Sequence, residues 1–228
     1  MIGIIGAMKI EVEKILEILE NKTFEIVSGV EFVCGKFYNN DVVVAVSGVG
    51  KVNAAATTEA MILKFSPDFI INTGVAGTLS DNLNIGDVAL SKDVVEHDMD
   101  TSPLGDPKGY ISGLDIVKMK ADNDLINKFS KVLGELEINY EIGTIASGDQ
   151  FINSNETKKK IKEEFNAICC EMEGASIGHV CSINAVPFCV LRAISDGADD
   201  SSHMSYEQFT HLAADNSIKV LDLFFKNY

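Results

Sequence analysis

Short β-branched apolar runs alternate along this chain with stretches in which apolar residues recur every three to four positions, and few folds satisfy both periods at once. The runs "IGIIG", "EFVCGKFY", "DVVVAVS", "DFIINTG", "GDVALSKDVVEHD", "YEIGTIAS" and "PFCVLRAIS" read as strands. Between several of them, "KVNAAATTEAMILKF", "NDLINKFSKVLGEL", "NETKKKIKEEF", "EMEGASIGHVCSI" and the terminal "SYEQFTHLAADNSIKVLDLFF" carry the helical period. A sheet covered by helices accommodates that order, so the expected class is α/β, with a hairpin pair near the start. The 228 residues are 46% hydrophobic, enough for one core burying roughly 70–75% of the unfolded surface. With no repeat or linker, residues 1–228 read as a single domain.

Charge narrows the partners. The formal net charge is −15, and Arg192 is the sole arginine. A nucleic-acid binder displays a basic face; here the one lysine cluster, Lys158 to Lys162, is interleaved with Glu156, Glu163 and Glu164 and reads as a solvated helix face. No nucleic-acid partner is expected. The five cysteines form no C-x-x-C pair and fit a reduced, cytoplasmic setting. The N-terminus lacks a basic region and a cleavage pattern, and nowhere is there a run of the roughly 18 apolar residues that a membrane helix needs.

In an open α/β sheet, ligands bind beyond the C-terminal ends of the strands. Those ends carry Met8 and Glu11 after the first strand, the glycine turn Gly74-Val75-Ala76-Gly77 after "DFIINT", Gly148 to Ile152 after "YEIGTIAS", Glu171 to Glu173 after "NAICC", and Asp196 after "PFCVLRAIS". The turn-rich stretch "HDMDTSPLGDPKGYISGLD" is longer than an ordinary connection and is expected to shape a site or an interface. His97 and Asp98 open it, but no further ligand stands at a spacing that suits a metal.

Residue by residue, these positions are ambiguous. An acid such as Glu11, or equally Glu13, is favoured near a helix N-terminus by the macrodipole, and so are Glu171 and Glu173. Asp196 could be an N-cap, or a partly desolvated acid that retains a proton near neutrality. Arg192, in a strand suited to burial, requires an acidic partner. Phe151 taken alone is more simply a core residue.

Taken together, "GIIGAMKIEVE", "SGVGKVNAA", "NTGVAG", "ASGDQFI", "CEMEGAS" and "RAISDGAD" resemble, in order over residues 3 to 199, the 5'-methylthioadenosine/S-adenosylhomocysteine nucleosidases. The resemblance implies a three-layer nucleoside phosphorylase-like fold with a mixed central sheet, a homodimer, no cofactor or metal, and a place in methionine salvage. It also implies hydrolysis of the N-glycosidic bond of 5'-methylthioadenosine and S-adenosylhomocysteine, with 5'-deoxyadenosine as a further substrate. Glu11 then matches the base that activates water, and Asp196, oriented by Ser195, the acid that protonates adenine N7. Glu173 matches the acceptor of the ribose hydroxyls, with Arg192 nearby.

By the same resemblance Phe151 stacks on adenine and the Ile152 backbone reads its edge. Met8, Val49, Met172 and Tyr206 line the ribose and 5' pocket, beside Val75, Ala76 and Gly77. Val75 stands where some members have serine. Thr101 and Leu104, with Asp106, occupy loop positions that reach the partner's site. A carboxylate beside the first turn suits water and repels phosphate, which separates a hydrolase from a phosphorylase of the same fold. Cleavage of a different adenine nucleoside such as aminodeoxyfutalosine, or binding without turnover, stays open at this level.

Overall fold

The computed structural model describes residues 1–196 and 206–228, apart from the side chains of 206–213. Among the described residues ten strands form one mixed sheet, ordered β10-β6-β8-β9-β5-β1-β4-β3-β2, with β7 (Met119–Lys120) beside β6. At its centre β1 (Ile2–Gly6) lies parallel to β4 (Asn40–Val46) and β5 (Phe69–Thr78). Ile4 and Ile5 point to opposite faces of β1, yet both are fully buried. Elements cover both faces there, and for that reason the run is apolar throughout rather than alternating.

β5 has neighbours on two paths. It pairs in parallel with β10 (Phe188–Asp196) and, through Gly77 and Thr78, antiparallel with β9 (Ala167–Glu171). β9 continues through β8 (Tyr140–Ser147) and β6 (Val88–Glu96) back to β10, so five strands close into a ring. Register shifts interrupt three of these ladders, at Ser91/Asp93, Thr144/Ile145 and Ile194/Asp196. Bulges of this kind bend strands enough for a sheet to close. On the other flank β2 (Glu20–Val27), β3 (Val30–Phe37) and β4 form an antiparallel meander, one strand more than the hairpin pair read from sequence. β2 was missed because it has no inward face to imprint alternation: its first seven residues are all exposed.

The helices follow the expected periods: α1 (Lys9–Ile18), α2 (Lys51–Phe65), α3 (Asn123–Glu135), α4 (Asn155–Phe165), α5 (Gly174–Ile183) and α6 (Tyr206–Asn227). Two expectations are corrected. Gly74-Val75-Ala76-Gly77 is not a turn but lies in the second half of β5, buried throughout. The helix expected from Glu171 begins only at Gly174, because Glu171 completes β9. No helix among the described residues is long and apolar enough to cross a membrane.

Candidate active site

A cleft of about 550 Å³, counted to its open mouth, lies where β1, β5, β9 and β10 end. Its polar centre is built on Arg192, which β10 holds 1% exposed. Nη2 donates to Glu171 in a very short ion pair and to Asn72 Oδ1 at 2.7 Å, and it lies 3.4 Å from Glu173 Oε2. Nη1 lies 3.8 Å from Glu11 Oε1. One buried cation thus faces three buried carboxylates. Burial disfavours the guanidinium charge, but the carboxylates outweigh it and raise the Arg192 pKa further above its ordinary value.

Glu11 satisfies both readings of its position. As the third residue of α1 it folds back on the helix start, where Oε2 accepts from the Ala7 and Met8 N–H groups at 2.7 and 2.9 Å. Oε1 accepts from Val75 N at 3.1 Å. The side chain is therefore a cap and also part of the cleft wall. Its burial pushes the pKa up, against the opposing pull of Arg192 and the three N–H groups. Glu13 stays on the surface in an exposed pair with Lys9, a contact worth little.

Glu173 Oε1 accepts from Gly50 N at 2.8 Å. Burial, with Glu171 and Glu11 nearby, pushes its pKa up to about 7 against the attraction of Arg192. Gly50 and Gly48 hold φ near +98° and +84°, a left-handed backbone that glycine adopts without strain. The turn so formed aims the N-terminus of α2 at the cleft, and two N–H groups there are already engaged by carboxylates: Gly50 N by Glu173, and Lys51 N by Asp149 Oδ1 at 2.7 Å.

Two glycines of β5 make room for the charges. A Cβ at Gly74 would sit 2.1 Å from Arg192 Nη1 and 2.5 Å from Glu11 Oε1; one at Gly77 would sit 2.7 Å from Asp196 Oδ2. The two positions are three residues apart, about 10 Å along a strand, so Glu11 and Asp196 meet different parts of the cleft. Asp196 reaches it through the β10 register shift, with its carboxylate 3.2 Å from the Ser195 hydroxyl.

The apolar wall contains most of the expected residues. Val75 packs with Ala193 and Met8, while Ala76, Val49, Ile152 and Met172 complete the lining. Phe151 is 59% exposed at the mouth, so it is not a core phenylalanine. Thr101 and Leu104 stand away from their own chain's cleft. Thr101 bonds Asp106 at 2.8 Å, and Leu104 is 84% exposed. In the same loop Ile111 is buried and Met99 packs against the core. The Tyr206 side chain and Gly197 to Asp199 of the last motif lie outside the described residues.

Sequence reasoning missed three residues. Glu171, read as an ordinary helix-start acid, is the closest partner of Arg192 and also accepts from Ser147 and from Glu173 N and Gly174 N. Asn72 bridges Arg192 to the Ile5 carbonyl; a polar residue within "FIINT" was its only signal. Lys158 is not on a solvated face but buried, with Nζ 3.4 Å from Asp196 Oδ2. Cys170 also lines the cleft, its thiol pushed up to about 12 by burial and therefore inert.

Comparison with known proteins gives four findings. The family model described as "Phosphorylase superfamily" matches residues 1–226. The chain is 43% identical over 227 residues to a 5'-methylthioadenosine/S-adenosylhomocysteine nucleosidase of Staphylococcus aureus (strain JH9), covering 97% of each chain. It superimposes with a TM-score of 0.94, at 37% identity and covering 100% of this chain and 98% of the other, on a Helicobacter pylori mutant nucleosidase of that type with 5'-methylthioadenosine in its active site. The same TM-score, at 38% identity and with 100% and 97% coverage, relates it to the futalosine hydrolase of Helicobacter pylori strain 26695.

Proposed function

The chain belongs to the phosphorylase superfamily and, within it, to the 5'-methylthioadenosine/S-adenosylhomocysteine nucleosidases, and on that premise we propose that it hydrolyses both nucleosides, and 5'-deoxyadenosine, to adenine and the 5-substituted ribose. Its activity is that of a hydrolase acting on the N-glycosidic bonds of adenine nucleosides. The observation that carries hydrolysis rather than phosphorolysis is the charge of the cleft. A single guanidinium is already committed to three carboxylates, and carboxylates hold N–H groups at the helix starts beside the cleft, Glu11 those of Ala7 and Met8 before α1, and Glu173 and Asp149 those of Gly50 and Lys51 at α2.

In this reading Asp196 delivers its proton to adenine N7 as the bond to the anomeric carbon breaks and its electron pair passes to the base. Glu11, made more basic by burial, removes a proton from the attacking water. Glu173 holds the ribose hydroxyls, and its charge favours the oxocarbenium-like transition state over the neutral substrate. Phe151 stacks on the base, and Ile152 reads its edge. Met8, Val49, Met172 and Tyr206 enclose the sugar and its 5' group, completed by Thr101 and Leu104 of the partner subunit in a cytoplasmic homodimer serving methionine salvage.

The deciding experiment supplies 5'-methylthioadenosine in phosphate-free buffer. Adenine and free 5-methylthioribose are released at full rate, and added phosphate neither accelerates release nor enters the sugar. Methylthioribose 1-phosphate as product would make the protein a phosphorylase. Faster turnover of futalosine than of the thionucleosides would reassign the substrate and leave the hydrolytic chemistry in place.

A further inference from the structure

The lysines of α4 fall into two groups. Lys159 and Lys160 pair with Glu163 and Glu156 one turn away, at 3.8 and 2.6 Å, with their side chains more than 70% exposed. Lys162 reaches Asp81 at 2.9 Å. Lys158 instead turns inward, with its side chain 11% exposed and its ammonium 3.4 Å from Asp196 Oδ2. Taking an ammonium out of water is costly unless a charge meets it, and three neighbours show that this helix can keep its lysines in solvent. The inward placement brings the ammonium against Asp196.

Several groups bear on that carboxylate among the described residues: the Lys158 ammonium from α4, the Cys169 and Cys170 thiols from β9, and the Ser195 hydroxyl of its own strand, with the bare Cα of Gly77 beneath it on β5. The thiols stay protonated, so Lys158 is the cation of this set. It stands where an acid must become an anion. When Asp196 gives its proton to the departing base, a carboxylate forms 3.4 Å from a fixed positive charge, and that charge interacts more strongly with the ion being formed than with the neutral acid.

We propose that Lys158 is a positioning residue for leaving-group protonation: it holds the Oδ2 side of Asp196 and stabilises the carboxylate that Asp196 becomes as the glycosidic bond breaks. The inference rests on the acid role given above to Asp196. The proton moves from Asp196 to the base, the bonding pair leaves with the base, and the proton lost by water is taken up at Glu11. Lys158 itself exchanges no proton with the substrate.

The test is a double-mutant cycle on 5'-methylthioadenosine hydrolysis, with Lys158→Gln, Lys158→Arg, Asp196→Asn and the Lys158→Gln/Asp196→Asn pair, each also melted thermally. Lys158→Gln lowers kcat roughly tenfold or more, a part of what general acid catalysis contributes, and leaves KM within about threefold. Lys158→Arg recovers most of the loss. On the Asp196→Asn background, Lys158→Gln changes kcat by less than about twofold, because its route of action is already gone. A Lys158→Gln loss that persists undiminished in the double variant, or that Arg fails to rescue, overturns the proposal, as does unchanged kcat. If Asp196→Asn itself turns over like the unmodified enzyme, the acid assignment fails first, a result distinct from the failure of Lys158 alone.

Discussion

At the scale of single residues, the site is a contest between burial and charge. Glu11 is held by three N–H groups yet buried enough for its pKa to rise, a combination that suits a base fixed in place. Glu11→Gln should lower kcat by on the order of 10² or more while an unreactive substrate analogue still binds; near-normal turnover would leave it a helix cap alone. Glu173 titrates near 7, well above an ordinary carboxylate. The folded state then holds its proton more tightly than the unfolded chain does, so this group stabilises fully below about pH 4.5 and the contribution is lost as pH rises through about 7. His97, depressed mainly by burial, works in the opposite sense over part of that range, so a single melting curve mixes the two. The stability difference between the protein and its Glu173→Gln variant separates them, and it should fall by on the order of 1–3 kcal/mol from pH 5 to pH 8. A flat difference would refute the elevated value.

At the scale of elements, β5 is the organiser. It runs into the cleft as a strand where a glycine turn was expected, and its glycines are defined by what lies against them rather than by backbone conformation. Gly74 is packed on Arg192 and Glu11, neither of which can retreat, since both are buried and bonded. Gly74→Ala should therefore lower stability by about 2–4 kcal/mol and abolish turnover, as read by thermal melting and adenine release. An active, equally stable variant would mean that the guanidinium is not where these contacts put it. The strands and helices themselves were legible because each carries its own period. β2 and the true start of α5 were not: the first has no buried face to imprint alternation, and at the second Glu171 belongs by its hydrogen bonds to β9 while its spacing suits a helix.

At the scale of the whole molecule, several large apolar residues stay exposed on neighbouring helices. Val52 and Leu63 on α2 and Ile183 on α5 are exposed by 78, 74 and 61%, and the two helices pack side by side. Leu104 projects separately from the long loop at 84%. Large apolar residues gathered on adjoining helices mark an interaction surface, and a second copy of the chain fits the homodimer proposed above. Light scattering should give about twice the 24.7 kDa chain mass, and Val52→Lys with Leu63→Glu should bring it back to that of one chain. A monomer with full activity would remove the role given to Thr101 and Leu104 in a neighbour's site.

The sequence by itself determined the α/β alternation, the positions of Glu11, Glu173 and Asp196 at or just past strand ends and that of Arg192 within a buried strand, because period and apolar run length are local properties that survive without tertiary context. Its ordered motifs supplied the family. Only the tertiary structure decided which charges meet. Glu171 and Arg192 are 21 residues apart and come together because β9 and β10 are both neighbours of β5. Lys158 reads as one more solvated lysine until α4 is placed beside Asp196. Charge pairing is set by distance in space, and a chain that closes five strands into a ring brings together residues whose spacing in sequence carries no trace of it.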